Sequence, residues 1–318
     1  MTPDLVGRRI VVEVPASIAN LGAGYDCLGL AIDVALRVEL AVVERPRDRP
    51  GVELEVSGEG ATEIEPERGN RFVAALEGGL RDRGVELSRD LAWRIRMANE
   101  IPLARGLGSS GAATVAGLLA ADALAGIATN PDALLAAATA LEGHPDNVAP
   151  ALLGGFVASF AGAERVEAFR FDAPPVLRVA LFVPELRLST ADMRRVLPEA
   201  VPRADAVANL ARVAVGVAGI AQGDWSVLGA LTEDRLHEPY RATVYPLLPI
   251  LVAAARAAGA VGACLAGSGS TIAAFSLGSG VDAARIGAAL TAVATNHDLR
   301  GSVRIVSARN DGARILER

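Results

Sequence analysis

The segment that most restricts how this chain can fold is Gly106-Leu107-Gly108-Ser109-Ser110-Gly111. It stands between LAWRIRM (Leu91–Met97), which alternates like a strand, and an alanine-rich apolar stretch from about Ala112 to Leu124 that reads as a helix. Glycine reaches left-handed backbone conformations without a Cβ clash, so the main chain can turn tightly and aim several N–H groups at one point. A helix starting there adds its positive dipole end, which suits an anion. Ser109 and Ser110 could donate to phosphate oxygens or ligate Mg2+. On this segment alone three readings stay open: a dinucleotide loop, a phosphate cradle, and a turn whose serines only cap the helix. The first is the weakest. The dinucleotide fingerprint wants its first glycine directly after the strand and an acid about 20 residues on. Here a stretch containing Pro102 intervenes, and the later acids Asp122 and Asp132 are poorly placed.

No lysine can meet such an anion. The chain has 31 basic side chains, and all are arginine. That excludes a Walker-type P-loop, a Schiff-base or pyridoxal phosphate enzyme, and a protein kinase of the usual kind. Cation chemistry must come from arginine, a metal or backbone N–H groups. A net charge of -6 argues against nucleic-acid and anionic-membrane partners. With 51% apolar and 21% charged residues the chain is globular. Its 318 residues suggest about two domains. Cys27 and Cys264 read as unpaired thiols, Cys27 as a packed one, and no secretory signal is visible, so a cytoplasmic protein is expected. Ala257–Val281 carries no charge, but its glycines predict a turn between strands rather than a membrane span.

Periodicity gives a coarse map. Strands are expected at Arg9–Val14, Leu28–Val34, Leu36–Val43 and Val52–Ser57, with Pro15–Gly24 as a loop and 45–51 as a turn. Phe72, Leu76 and Leu80 predict a helix over Arg71–Arg83. Asn130-Pro131 starts another, running to about Leu141. The second half predicts strands near Gly155–Ser159 and Val179–Val183, then helices at Thr190–Leu197, Arg203–Ala221 and Ile250–Ala258. A strand pair flanks Gly267–Ser270, a helix covers Asp282–Ala294, and a strand covers Val303–Ser307. Strands followed by helices in each half predict an α+β protein of two domains, 1–160 and 161–318.

Three further stretches shift the weighting toward a phosphate cradle. They are Pro15-Ala-Ser-Ile-Ala-Asn20-Leu-Gly-Ala-Gly24-Tyr25-Asp26, Glu142-Gly-His144-Pro-Asp146-Asn147, and Leu265-Ala-Gly267-Ser-Gly269-Ser-Thr. With Pro102–Ser110, which has the form P-x-x-x-x-G-L-G-S-S, they make the chain resemble the GHMP kinase superfamily from about residue 11 to 275. The first and second stretches most resemble its homoserine kinase branch. The resemblance implies an N-terminal domain like ribosomal protein S5 domain 2 beside a C-terminal ferredoxin-like domain. It implies ATP over Pro102, Leu103, Ala104, Arg105, Gly106, Leu107, Gly108, Ser109, Ser110, Gly111 and Ala112, with Asn70 at the adenine. The implied reaction moves the γ-phosphoryl group of ATP to the side-chain hydroxyl of L-homoserine, and a homodimer is compatible with it.

The same resemblance distributes roles. Arg194 and Arg241 would take the substrate carboxylate, Asp26 and Asn20 would face its amino end, and His144 and Asn147 would lie beside it, Asn147 at the reacting hydroxyl. Ser110 and Glu142 would ligate Mg2+, although only three residues separate Glu142 from Asp146, fewer than in some relatives. Asp146 stands where other branches keep a base, but the lysine that assists it there is missing. A loose transition state needs little early deprotonation, so both a base and a base-free mechanism stay open. Rival readings are a kinase for an isoprenoid alcohol or sugar, and a nucleotide-binding regulator without turnover. His237 and His297 stand in no motif and receive no role.

Overall fold

The computed structural model describes residues 5–45, 51–65, 70–163 and 165–318. The turn expected at 45–51 falls mostly on residues outside that set. In chain order the first half holds β1 (Arg9–Ala19), β2 (Leu28–Glu44), β3 (Val52–Gly58), α1 (Arg71–Asp82), β4 (Leu91–Asn99), α2 (Ser109–Ala125), α3 (Pro131–Glu142), α4 (Val148–Leu153), β5 (Phe156–Ala161) and β6 (Val166–Phe171). The second holds β7 (Arg178–Pro184), α5 (Thr190–Arg195), α6 (Arg203–Ala221), α7 (Leu228–Leu231), α8 (Glu238–Arg241), α9 (Leu248–Ala257), β8 (Gly262–Leu265), β9 (Ile272–Ser276), α10 (Gly280–Asn296), β10 (Gly301–Ser307) and β11 (Arg314–Glu317).

Two sheets organise these elements. The first runs β11-β1-β2-β4-β3, with β5 and β6 continuing from the start of β2; the second is antiparallel in the order β10-β7-β9-β8. The α+β expectation holds. Sheet membership changes after Phe171, not at residue 160, and β11 returns to pair with β1. Among the described residues only β3 and β4 pair in parallel, and α1 is the crossover that a parallel pair requires.

Two sequence expectations fail for one reason. Pro15–Gly24 is not all loop, because β1 runs on to Ala19, and Leu28–Val34 and Leu36–Val43 are a single strand. Pairing shifts between Pro15 and Ala16: Pro15 faces Ala35, then Ala16 faces Ile32. Proline cannot donate to a ladder, so it sits where the ladder is already broken by a bulge.

On its outer face the first sheet is charged and its register is marked by ion pairs. Glu53 faces Arg94, Glu55 faces Arg96, and Glu39 faces Arg96. Arg94 Nε reaches Glu53 at 2.9 Å and Arg96 Nε reaches Glu55 at 3.2 Å. Such exposed pairs contribute about 0–1 kcal/mol each, so they select register more than they stabilise. The inner face carries the weight. Phe72, Leu76 and Leu80 of α1 are fully buried, each burial contributing about 1.5–3 kcal/mol. Helix α2 is apolar nearly all round and buried from Gly111 to Leu124 apart from Ala113. Its small side chains let it pass between β1 and α1.

In the second sheet α9 and α10 pack across the strands, while α6 packs on α7 and the turn before it. Among the described residues α6 alone is long and apolar enough to span a membrane, and Val207, Leu210 and Val215 are exposed on it. Its Asn209 is buried and donates to the Ala23 carbonyl (3.1 Å) and to Asp234 (2.7 Å), tying the helix to the turn after β1.

Gly117 marks where α1 and α2 meet. A Cβ there would overlap the Phe72 carbonyl and lie 2.8 Å from the Ala75 methyl. Gly117→Ala improves helix propensity by about 1 kcal/mol, yet overpacking costs about 1–3 kcal/mol. The expected outcome is a net loss of stability in urea unfolding. A more stable variant would refute this account of the α1–α2 approach.

Candidate active site

Three backbone segments are laced together where the sheets meet. Ser17 N–H donates to Leu107 O (3.2 Å), Gly267 N–H to Ala19 O (3.1 Å), and Thr271 N–H to Arg105 O (3.2 Å). These bonds join the end of β1, the glycine loop and the β8–β9 turn. The cleft beside them has a volume of about 270 Å³. Its walls carry Asn20, Asp26, Pro102, Ala104 to Gly111, Glu142, His144, Asp146, Asn147, Arg194 and Arg241, so the motifs separated by over 200 residues converge. A second cleft of about 340 Å³ adjoins it through Ser109 and Ser110. It is walled mainly by Leu36, Ile64, Met97, Leu103 and Ala113, with Asn70 among them.

The glycines of the loop serve protein neighbours first. Gly106 has φ +76° and a Cβ there would meet the Ala266 carbonyl and Gly269 N (2.7 Å). Gly108 has φ +72° and a Cβ would meet Ser17 Oγ and Asn147 Oδ1 (2.9 Å). Expected from the sequence as room for an anion, they are required for the loop to lie against β1 and the β8–β9 turn. The anion side is kept by α2, whose N-terminus has no side-chain cap. The dinucleotide reading loses its acid, since buried Asp122 is paired with Arg83.

Leu107 is buried beneath this loop, and Pro102, Leu103, Ala104 and Ala112 line or underlie the two clefts. Arg105 is built differently. Its guanidinium donates to the carbonyls of Pro184 (2.6 Å) and Glu185 (2.9 Å), clasping the loop to the second sheet. Asn70 caps α1 by accepting from Val73 N–H (3.2 Å), and its Nδ2 is buried without a hydrogen-bond partner among the described residues.

Ser110 and Glu142 are brought together despite the short connection to Asp146. Ser110 Oγ donates to Glu142 Oε1 at 2.9 Å, and Thr114 Oγ1 donates to the same oxygen at 2.7 Å. A hydroxyl and a carboxylate at a helix N-terminus are hard oxygen donors of the kind Mg2+ takes, so the residues fit that ion. Arg71 Nη1 lies 3.9 Å from Glu142 and lines both clefts. Sequence reading passed over Arg71, although it is the next residue after Asn70.

The far wall holds paired charges. Arg194 grips Asp26 through two bonds, Nη1–Oδ2 at 3.0 Å and Nη2–Oδ1 at 2.7 Å, and Nη1 also donates to Tyr25 Oη (2.8 Å). Arg241 is almost wholly buried. Its Nη1 donates to Gly267 O (2.8 Å) and its Nε to Met193 O (3.3 Å). Both guanidinium groups lie over the Tyr25 ring, 5.5 Å from its centroid. Asn20, 3% exposed, is a clamp: Oδ1 accepts from Asp26 N–H (3.0 Å) and Nδ2 donates to Gly267 O (2.9 Å). It and Asp26 hold left-handed backbone at φ 70° and 57°. Their side-chain bonds keep this turn in a conformation few side chains adopt.

His144 Nδ1 is hydrogen-bonded to buried Asp146 Oδ1, which raises the imidazole pKa above its ordinary value. Asn147 Oδ1 accepts from Ser17 Oγ (3.0 Å), so a serine of the first motif orients it. Ser17, Thr114 and Tyr25 escaped the sequence reading because the partners they serve lie far along the chain. Cys27 is a packed thiol, as expected, with its pKa pushed up to about 11 by burial.

Glu238, beside the site, supplies a pH test. Its carboxyl accepts from the buried Leu265 N–H (2.7 Å), and burial raises its pKa to about 8. A folded pKa above the unfolded value gives stability that is complete below the unfolded value and lost as pH rises through the folded one. Melting curves should therefore favour Glu238→Gln over wild type increasingly from about pH 5 to 8. Parallel Tm profiles would contradict the buried neutral acid.

Comparison with known proteins agrees with this geometry. The family description "GHMP kinases N terminal domain" matches residues 70–155, and "GHMP kinases C terminal" matches residues 217–296, together just over half of the chain. A homoserine kinase of Moorella thermoacetica is 38% identical over 307 residues, covering 96% of this chain and 99% of that protein. Another, of Corynebacterium urealyticum, is 40% identical, covering 84% of this chain and 86% of that one. The crystal structure of homoserine kinase from Cytophaga hutchinsonii superposes with a TM-score of 0.83 at 29% identity, covering 99% of this chain and 100% of that one. The likeness to the crystal structure of L. major mevalonate kinase is in fold alone, with a TM-score of 0.71 at 15% identity over 98% and 100% of the two chains. By sequence and by fold, the chain belongs to the GHMP kinases.

Proposed function

We propose that this protein is an ATP-dependent homoserine kinase, making O-phospho-L-homoserine on the route to threonine. The observation that carries the reading is the charge arrangement on one cleft wall. Asp26 offers an anion to an ammonium, Arg194 and Arg241 offer guanidinium groups to a carboxylate, and Ser110 lies across the same cleft. A sugar or an isoprenoid alcohol has no ammonium and would leave Asp26 with only Arg194.

In this reading the adenine enters the apolar cleft, where the orphaned Asn70 Nδ2 donates to a ring nitrogen. Phosphates lie on the uncapped N-terminus of α2 and the 106–111 backbone. Mg2+, held by Ser110 and Glu142, would neutralise phosphate charge. Arg71 adds the cation that lysine supplies in other kinases, as an exposed guanidinium lining both clefts within reach of the γ-phosphate. The homoserine zwitterion displaces the Asp26–Arg194 pairing, exchanging one ion pair for two. Its hydroxyl oxygen bonds to phosphorus as the bond to ADP breaks. Asn147 orients that hydroxyl, and Asp146, held by His144, takes the proton late in the transfer. The protein acts in the cytoplasm as two domains that share the cleft, and a homodimer belongs to the same reading.

An ADP-release assay over homoserine, mevalonate and sugars tests the reading; turnover of mevalonate with homoserine inert would sink it. Arg241→Ala should raise the homoserine KM by about 10-fold or more, as expected for a lost charged hydrogen bond, with the ATP KM near wild type. Equal rises in both would remove its carboxylate role. Arg71→Ala should do the reverse, raising the ATP KM several-fold while sparing homoserine; an unchanged ATP KM would dismiss the phosphate contact.

A further inference from the structure

We propose that His237 is a positioning residue for Arg241: its neutral ring accepts from the guanidinium, donates to the Gly22 carbonyl, and so fixes which edge of Arg241 faces the cleft. The proposal rests on the homoserine reading for its kinetic consequence and on the bonds below for its geometry.

His237 is fully buried as the N-cap residue of the short helix α8, four residues before Arg241. Its Nδ1 lies 3.0 Å from Arg241 Nη1, and its Nε2 lies 2.9 Å from Gly22 O. The partners dictate the protonation. A guanidinium has no acceptor, so Nδ1 must offer a lone pair; a carbonyl has no donor, so Nε2 must carry the hydrogen. The ring is therefore the neutral Nε2–H tautomer. Burial acts in the same direction, lowering its pKa to about 4.

The neighbouring charges leave that arrangement undisturbed. Asp234 Oδ2 is 3.7 Å from Nε2, but its oxygens already accept from the N–H groups of Leu236 (3.0 Å), His237 (2.7 Å) and Glu238 (2.7 Å) and from Asn209 (2.7 Å). Glu238 is turned to Leu265, Asp26 is gripped by Arg194, and the Tyr25 ring covers the imidazole at 5.2 Å.

The consequence falls on Arg241. Both Nη1 hydrogens are taken, by His237 and Gly267 O, and Nε is taken by Met193 O. Among the described residues nothing accepts from Nη2, which leaves that amino group for the substrate carboxylate. Without the His237 acceptor, Nη1 would hold one bond and the guanidinium could swing about it. Gly22 O links the same ring to the turn that carries Asp26, so one side chain sets both ends of the zwitterion site.

Two substitutions separate positioning from mere packing. Asn places an oxygen near Nδ1 and keeps the Arg241 acceptor; Gln places an amide near Nε2 and keeps only the Gly22 donor. His237→Gln is expected to raise the homoserine KM about 10-fold, the loss of one hydrogen bond to a charged group, with the ATP KM within about twofold. His237→Asn should stay much closer to wild type. The proposal is overturned if Gln is as good as Asn, or if the ATP KM rises in step. Side-chain 15N spectra of the wild-type protein give an arm independent of substrate, since the chain has 3 histidines and His237→Asn assigns the signal. A protonated Nε2 and bare Nδ1 at neutral pH support the proposal; the opposite tautomer or a charged ring overturns it. If wild-type protein leaves homoserine untouched, the substrate reading fails, and the tautomer still decides whether His237 holds Arg241.

Discussion

The site depends on a close approach of backbones. Gly106 lies directly against the Ala266–Gly269 turn, with no room for a side chain between them, and three main-chain hydrogen bonds then lace β1, the loop and that turn together. Backbone bonds of this kind have short reach, so they hold only if every crossing residue is small or correctly turned. Asn20, Gly22, Gly108 and Gly267 satisfy that demand with left-handed backbone, and Asn20 adds its amide as a clamp. Everything polar in the cleft hangs from these segments.

Arginine supplies the rest of the rigidity. A guanidinium stays charged under any burial and presents several N–H groups in a plane, so each one can join more than two segments. Arg105 ties the loop to β7 through two carbonyls, Arg241 ties α8 to the β8–β9 turn, and Arg194 ties α5 to the Asp26 turn. A lysine ammonium could make comparable bonds but not in a fixed plane. The all-arginine composition therefore reaches further than the exclusion of lysine chemistry: the same residue type serves as clasp, strut and ligand, distinguished by how many of its hydrogens the protein already uses.

Much of this was legible where the cause is local. Asn130-Pro131 starts its helix as the pair predicts, and the helices expected from Arg71 and Thr190 begin there, capped by Asn70 and Ser189. The motifs converge on one cleft because backbone bonds join the end of β1, the glycine loop and the β8–β9 turn. What escaped has distant causes. Strand β1 continues past Pro15 only because β2 bulges opposite it, and β11 has no signal except its partner. Helices α4 and α8 are short and contain Pro150 and Pro239, which masks them. His237 was assigned no role because its meaning lies in Gly22 and Arg241, one of them over 200 residues away. The loop glycines were identified for an anion, while their nearest obligation is to Ser17 and Ala266.

Strand β11 carries a consequence for how the molecule is assembled. It follows the whole second sheet in sequence, yet completes the edge of the first beside β1, the strand from which the Asn20–Asp26 turn hangs. In effect the second sheet is an insertion inside the first. Contacts of such long sequence separation form late, after the entropy of closing the intervening chain has been overcome. During synthesis the strand beneath the site would wait with one edge unpaired until the second sheet had emerged, which makes that edge the place where a newly made chain is most exposed to wrong partners.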